Sequence, residues 1–455
     1  MRNQLATVRN ETGMLKTKQS KHKKKQNDRM KKKLLSTLLL AFCGVNSFAQ
    51  TWFPLGTGLN SGAYALAAYS GELYVGGQFT TAGGITCYDI AKWNGSAWST
   101  VGTGLNGDVH TLVEYNNELY VGGYFTNASG SSANHIAKWN GSTWSAVGSG
   151  LNGLVYCLAV YGGELYVGGD FSTAGGNTSY SIAKWNGSTW SPVGLSITGS
   201  VNALAVYNGE LYAGGHFNTS GGNIADNIVH YNGSTWSAVG AGLDTWVESL
   251  ASFNGELYVG GWFSLAGGNS ANHIAKWNGT NWSSLGLGVN SNVYSLQVYN
   301  SELFVGGQFT TADGNPANYV AKWNGTIWSP LATGMGNAIR AFTIYNLELY
   351  GTGTFTTADG NPANYIAKFN STSGINENSL NNQVSIFPNP SDGQIKIESS
   401  IKIEGIKITD PFGQITYQTQ ANEKNISLQL DKSGIFFITL TADKRTLTEK
   451  IIVCK

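Results

Sequence analysis

The chain has 455 residues, of which 60 are Gly, 14 Trp and 22 Tyr and only 12% are charged, a profile of short strands and tight turns and not of helices. Its formal net charge of +1 averages two unlike parts: residues 1–33 hold 12 Lys/Arg against Glu11 and Asp28, whereas residues 51–370 hold seven Lys/Arg against sixteen Asp/Glu. An acidic, lysine-poor body argues against nucleic acid or anionic membrane as partners, and four cysteines without CxxC or metal-ligand spacing argue against a disulfide scaffold and call for no metal or cofactor.

Residues 1–49 read as a leader. Met30 is followed by three lysines, the apolar run LLSTLLLAF and a small-x-Ala end at Ser47-Phe48-Ala49, the three parts of a secretory signal peptide, with cleavage between Ala49 and Gln50. The apolar run is too short to span a bilayer and no other segment is apolar enough, so no transmembrane segment is expected in the mature chain. The basic stretch before Met30 has nothing from which to build a core, and translation is read as starting at Met30.

From residue 50 to 370 the chain repeats itself. A motif opening Glu-Leu-Tyr/Phe starts at Glu72, Glu118, Glu164, Glu210, Glu256, Glu302 and Glu348, always 46 residues apart and without insertions. Each unit holds four strand-like runs. Asn-Gly pairs such as Asn208-Gly209 and Asn140-Gly141 predict type I′ hairpins between runs 1 and 2 and between runs 3 and 4, because that turn needs positive φ at both central residues. Four antiparallel strands per 40–50 residues is the pattern of a β-propeller blade. The fourth-strand tryptophan recurs from Trp52 to Trp328 and is missing at Gly374. The chain therefore begins with a fourth strand and ends with a third, and placing one beside the other closes a ring of seven blades without an exposed edge.

The double glycine closing each second strand (Gly76-Gly77 and its counterparts) and the tryptophan opening each fourth strand resemble the kelch-like group of propellers. Blade 7 departs with Gly351-Thr352-Gly353. The resemblance implies architecture and partner binding more than catalysis.

Twelve of the fourteen tryptophans fall at two repeat positions and read as packing between blades. The repeated Glu72 and Lys92 positions read as cross-strand ion pairs. Three other positions differ from blade to blade. Near the start of strand 1 stand Tyr64, His110, Tyr156, Asn202, Glu248, Tyr294 and Arg340. After the double glycine stand Gln78, Tyr124, Asp170, His216, Trp262, Gln308 and Thr354. Before strand 3 stand Asp89, His135, Ser181, Asn227, His273, Tyr319 and Tyr365. All three lie at one end of an antiparallel blade, opposite the tight turns, so they share the loop face and the channel mouth. The candidate ligand-binding residues are the first set together with Tyr124, Asp170, His216 and Trp262. No HExxH, GxSxG, phosphate loop, Asp-box or calcium-loop spacing occurs, and no catalytic residue is assigned.

Residues 371–383 are a polar linker, and residues 384–455 return to apolar/polar alternation over several short strands. Here Phe387-Pro388-Asn389-Pro390, Asp392-Gly393, the Asp410–Gly413 turn, Ser433-Gly434-Ile435-Phe436-Phe437 and Lys450-Ile451-Ile452-Val453 occur in order. This stretch resembles the type A C-terminal sorting domain of the Bacteroidetes type IX secretion system. The resemblance implies that the secretion machinery is a partner and that the protein is secreted or attached to the outer-membrane surface.

The expected architecture is thus all-β: a seven-bladed propeller closed by its N-terminal strand, then a small β-sandwich-like sorting domain. The expected function is non-catalytic binding or adhesion, with a glycan or protein held on the loop face. A glycan-active hydrolase or lyase using Glu248, Asp170, His110 and Arg340, and a structural surface-layer component, are the alternatives.

Overall fold

A computed structural model describes residues 51–194, 197–220, 222–370, 384–389, 391–410, 415–442 and 445–454. The leader with its Ala49–Gln50 cleavage site, the linker, Pro390 and Gly413 lie outside the described residues, as does the side chain of Lys450. The chain separates into two compact units.

The first unit is a ring of β-sheets. In blade 1, strands Ala63–Tyr69, Glu72–Gly77, Ile90–Trp93 and Trp98–Thr100 pair antiparallel in chain order. Six such sheets follow one another. The seventh is made of Ile339–Tyr345, Glu348–Gly353, Ile366–Asn370 and, as its outer strand, Thr51–Pro54 from the start of the ring. The first strand of each blade touches the first strand of the next, and that of blade 7 touches Ala63–Tyr69. The closing strand runs in register, Trp52 opposite Phe369, with Trp52 only 2% exposed. Burial of a ring that size contributes roughly 2–3 kcal/mol. Deleting Thr51–Gly58 should therefore lower Tm by many degrees, and an unchanged melting curve would refute closure by this strand.

The core lies between blades and not within them. Residues 73–75 of blade 1, Leu-Tyr-Val, are buried on both faces of their strand, which is why the run is continuously apolar. Tyr69, Tyr74 and Ile90 of blade 1 join Val109, Leu119 and Val121 of blade 2 in one cluster. Two polar ties repeat along these seams. A strand-1 tyrosine donates to a turn carbonyl of the next blade (Tyr69 to Asn117 O, 2.9 Å; Tyr345 to Gly71 O, 3.0 Å), and Phe253 forgoes this bond in blade 5. In blades 1–6 the fourth-strand indole donates to the carbonyl 43 residues earlier, as Trp98 Nε1 does to Leu55 O at 3.1 Å, whereas the buried Trp52 Nε1 of the closing strand has no such partner. The Glu72–Lys92 pair and five equivalents are salt bridges of 2.7–3.0 Å, and in blade 4 His230 takes the place of Lys with its Nδ1 2.7 Å from Glu210. They are part-exposed and each adds at most ~1 kcal/mol, less than one buried seam residue.

The double glycine is a device for close approach. A Cβ on Gly76 would lie 2.2 Å from Val109 Cγ1 of the next blade, and one on Gly306 would lie 2.7 Å from Ile339 Cγ2. Blade 7 carries Thr352 there, fully buried and donating through Oγ1 to Tyr365 O at 2.6 Å. By the same repeat geometry its neighbour is Ala63, the one alanine where every other blade has valine or isoleucine. The extra bulk has moved across the closing seam. Ala63→Val alone should cost roughly 1–3 kcal/mol by overpacking. Combining it with Thr352→Gly should restore most of the loss, whereas strictly additive Tm losses would show that the two sites do not meet.

One local expectation holds and one needs correction. The turn joining strands 1 and 2 is the two-residue type with both residues at positive φ (Asn208 49°, Gly209 78°). The second Asn-Gly is different: Trp139 pairs with Trp144, leaving a four-residue loop in which Asn140 Oδ1 accepts from Ser142 N and Thr143 N. The loop between strands 2 and 3 also holds a miniature hairpin, such as Thr81–Ala82 with Ile85–Thr86.

The second unit has strands Val384–Phe387, Gln394–Thr409, Ile415–Gln429, Gly434–Ala442 and Arg445–Val453. Two are long where short strands were expected, because the alternation runs on through a change of partner. Gln394–Thr409 pairs with Val384–Phe387 early (Ile397 opposite Ile386) and with Gly434–Ala442 late (Ile406 opposite Leu440). The spaced motifs are in part joined by the fold. Asn389, next to Pro388, accepts through Oδ1 from Ile452 N at 2.9 Å, tying the first motif to the last strand, which includes Lys450. Gly393 and Gly434 take positive φ, 107° and 148°.

Candidate functional site

The seven first-set residues occupy one backbone feature. In every blade strand 1 slips by one residue against strand 2, between Ala63 and Ala65 in blade 1 and at the equivalent place in the other six. The residue left without a partner is Tyr64, His110, Tyr156, Asn202, Glu248, Tyr294 or Arg340. A β-bulge bends its strand and re-aims the extra side chain. Here seven bulges bring seven different side chains to the lining of one cavity of about 610 Å³, to which Asp170 and His216 also contribute.

Within it, Tyr64 stacks on His110 (centroids 5.6 Å, 12° between planes), and His110 meets Tyr156 edge-on at 5.8 Å. The Arg340 guanidinium lies over the Tyr294 ring, 3.9 Å from its centroid. First- and second-set residues of a blade act together: the Tyr64 and Tyr294 hydroxyls donate to Gln78 and Gln308 at 3.3 and 2.9 Å. Asn202 Nδ2 approaches Glu248 at 3.5 Å, while its buried Oδ1 has no protein partner.

Burial dominates the titration of the mouth. It raises the Tyr64 pKa with help from Asp108, and raises that of Tyr156 with help from Asp170 and Glu248, keeping both phenols as donors. It lowers the pKa of His110, opposed by Asp108 and reinforced by Arg340, so the imidazole is neutral at pH 7. It raises Glu248 against the hydrogen bond from Trp262, the charge of Arg340 and the hydrogen bond from Asn202. The lining holds three carboxylates, Asp108, Asp170 and Glu248, against the single guanidinium of Arg340.

Tyr124 and Trp262 do not line this cavity. Tyr124, 60% exposed, stacks on His135 at 5.9 Å, so His135 is engaged away from the Tyr64–His110–Tyr156 stack. Trp262 sits just outside, 5.3 Å from Trp246. Trp246, Asp108 and Ser200 were missed by sequence reasoning although they line the mouth. They share one repeat column, Gly62, Asp108, Leu154, Ser200, Trp246, Asn292 and Ala338, whose variation was the available signal. The third variable set has another explanation. All seven of its residues hold φ between 61° and 64°, a left-handed backbone that Asp89, His135, Asn227 and His273 adopt more readily than Ser181, Tyr319 and Tyr365.

Asp89 belongs to that column, and burial with the nearby Asp108 charge pushes its pKa up to about 6. A raised carboxyl pKa means that folding takes up a proton, so the wild-type chain loses stability as pH rises through about 6. Asp89→Asn, which tolerates the same φ, should stabilise the protein by ~1 kcal/mol at pH 7.5 and much less at pH 5. Equal Tm gains at both pH values would contradict this.

Residues 385–454 match the family described as the secretion system C-terminal sorting domain. In the ring, residues 111–255 match the Rax2 C-terminal beta propeller domain and residues 254–282 a beta-propeller domain of unknown function, DUF5122. No curated protein matches the chain. Among solved structures, the chain is similar to the extracellular domain of a putative one-component system from B. thetaiotaomicron, at 11% identity over 90% of this chain and 58% of that one, with a TM-score of 0.46. It is also similar to PorZ, a surface component of the type-IX secretion system of Porphyromonas gingivalis, at 14% over 86% and 65%, TM-score 0.37. A GH43_1 enzyme from Xanthomonas citri follows at 11% over 71% and 90%, TM-score 0.25. The chain spans less than two thirds of the length of the first two, and at these identities and scores the likeness bears on none of the mouth residues. Among the described residues no helix is long and apolar enough to cross a membrane. The chain is a β-propeller followed by a type IX sorting domain, the tail of a protein that is secreted or held at the cell surface.

Proposed function

We propose that this is a non-catalytic recognition propeller whose ligand is a glycan seated in the channel mouth. The observation that carries the reading is the destination of the tryptophans and tyrosines that the repeat does not need. Twelve tryptophans sit at the two repeat positions of the blade seams, while the remaining two, Trp246 and Trp262, stand together at the mouth, 37% and 43% exposed. Three tyrosines, Tyr64, Tyr156 and Tyr294, line the same cavity. Exposed aromatic faces among phenol donors, carboxylate acceptors, a carboxamide and a guanidinium suit a ligand that presents C–H faces and many hydroxyls.

A second reading is favoured by one observation: Glu248, with its raised pKa, shares a cavity with ionisable Asp170, the pairing a glycan hydrolase requires. The two readings separate in one experiment. The purified chain is tested on a broad glycan array beside a variant with Tyr64, Tyr156, Tyr294 and Trp262 changed to Ala. The wild type should bind and the variant should lose at least tenfold in affinity with its Tm little changed, because none of the four side chains belongs to the buried cores between blades. Binding kept by the variant would remove the site from the mouth. Cleavage of a bound glycan, abolished by Glu248→Gln, would replace recognition by hydrolysis.

A further inference from the structure

The channel mouth is not the only opening on the loop face. A second cavity, of about 640 Å³, lies between blades 4 and 5 and includes Thr198, Asn218 and Asp226 on one side and Asp244 and Leu265 on the other. His216 lines both cavities. Its ring lies 4.6 Å from that of Trp246, which lies 5.3 Å from that of Trp262. The two openings therefore meet at His216, with Trp246 beside it on the mouth side and Trp262 next to Trp246.

Blade 4 is altered where it borders this cleft. In blades 1, 2, 3, 5 and 6 a side chain at one position, Asn60 in blade 1 and Asp244 in blade 5, accepts from two successive backbone N–H groups of the strand 2–3 loop. In blade 4 that position is Thr198, and the strand ladder runs on, Thr198 opposite Thr219 and Ile197 opposite Ser220, with a second register shift before Gly199. The unit keeps its 46 residues, so the change is invisible as an insertion.

We propose that the mouth and the cleft are two parts of one groove, and that it takes a linear, uncharged polysaccharide chain running from the channel across His216 and Trp246 to the space between blades 4 and 5. The inference rests on the reading of the mouth as a glycan site. Each cavity alone is of the size that encloses a small ligand, so a ligand using both must be extended. Chain polarity follows from charge. The cleft is lined by Asp226 and Asp244 without Lys or Arg, and the mouth by three carboxylates against Arg340, so a uronate or sulfate polymer would be repelled along its whole length.

The test is calorimetric titration of the full chain with size ladders of cello-, xylo-, manno- and malto-oligosaccharides, beside polygalacturonate and hyaluronate. One neutral ladder should bind with affinity rising beyond the shortest length that binds at all. Asn218→Ala with Asp226→Asn should remove that rise, on the order of tenfold for long chains, and leave short ones unchanged. Both side chains are exposed, so folding is not at stake, and a Tm measurement checks it. Trp246→Ala should weaken all lengths. Equal binding of short and long chains, untouched by the cleft variant, would overturn the groove while keeping the mouth as a site. Preference for the anionic polymers would overturn the neutral assignment. Binding of no ladder at all would remove the glycan reading and the groove with it.

Discussion

The structure depends on how closely one blade can approach the next. At the end of the second strand in blades 1–6 two glycines leave the backbone bare, and the valine or isoleucine of the following blade sits in the space a Cβ on the first of them would fill. This contact sets the spacing of the sheets, and the tyrosine hydroxyls and indole N–H groups that cross the seams can reach their carbonyls only at that spacing. A ring multiplies such a constraint, because each seam has to be right for the last blade to meet the first. At the last seam the small and large partners are exchanged between Thr352 and Ala63, which marks the closing interface as distinct from the other six.

The proposed function rests on a different layer of the same geometry. The slip in every first strand is a backbone property repeated seven times, and it leaves its extra residue outside the pairing that fixes the seams. The side chain there is released from packing and can differ freely: phenol, imidazole, carboxamide, carboxylate and guanidinium all occur on one scaffold. A rigid frame with a ring of substitutable positions suits recognition, since altering the ligand need not disturb the core. Burial acts on Tyr64, Tyr156 and His110 to favour their uncharged forms.

The sorting domain works by another economy. Its spaced motifs are brought together by the sheet, with the Asn389 carboxamide held on the backbone of the last strand and Ser391 bridging to Val453. Motifs more than 60 residues apart in sequence are thus parts of one structural unit.

The sequence by itself determined the repeat, the four-strand blade, the closing strand and the sorting tail, because a 46-residue period and the phase of its tryptophans are one-dimensional signals of a symmetric object. It also located the face on which the variable residues lie, since strand ends follow from the order of hairpins. Only the tertiary structure decided which of those residues meet. The bulge that singles out Tyr64 and its six equivalents leaves no mark in composition, because it is a slip in pairing between strands. The column from Asp89 to Tyr365 looked equally variable and proved to be held by left-handed backbone. Trp246 was legible only as one more difference in a varied column, and its neighbours His216 and Trp262 reach it from other strand ends. Proximity across blades is set by the radius of the ring, a quantity that belongs to seven packed sheets together and to no segment of the chain.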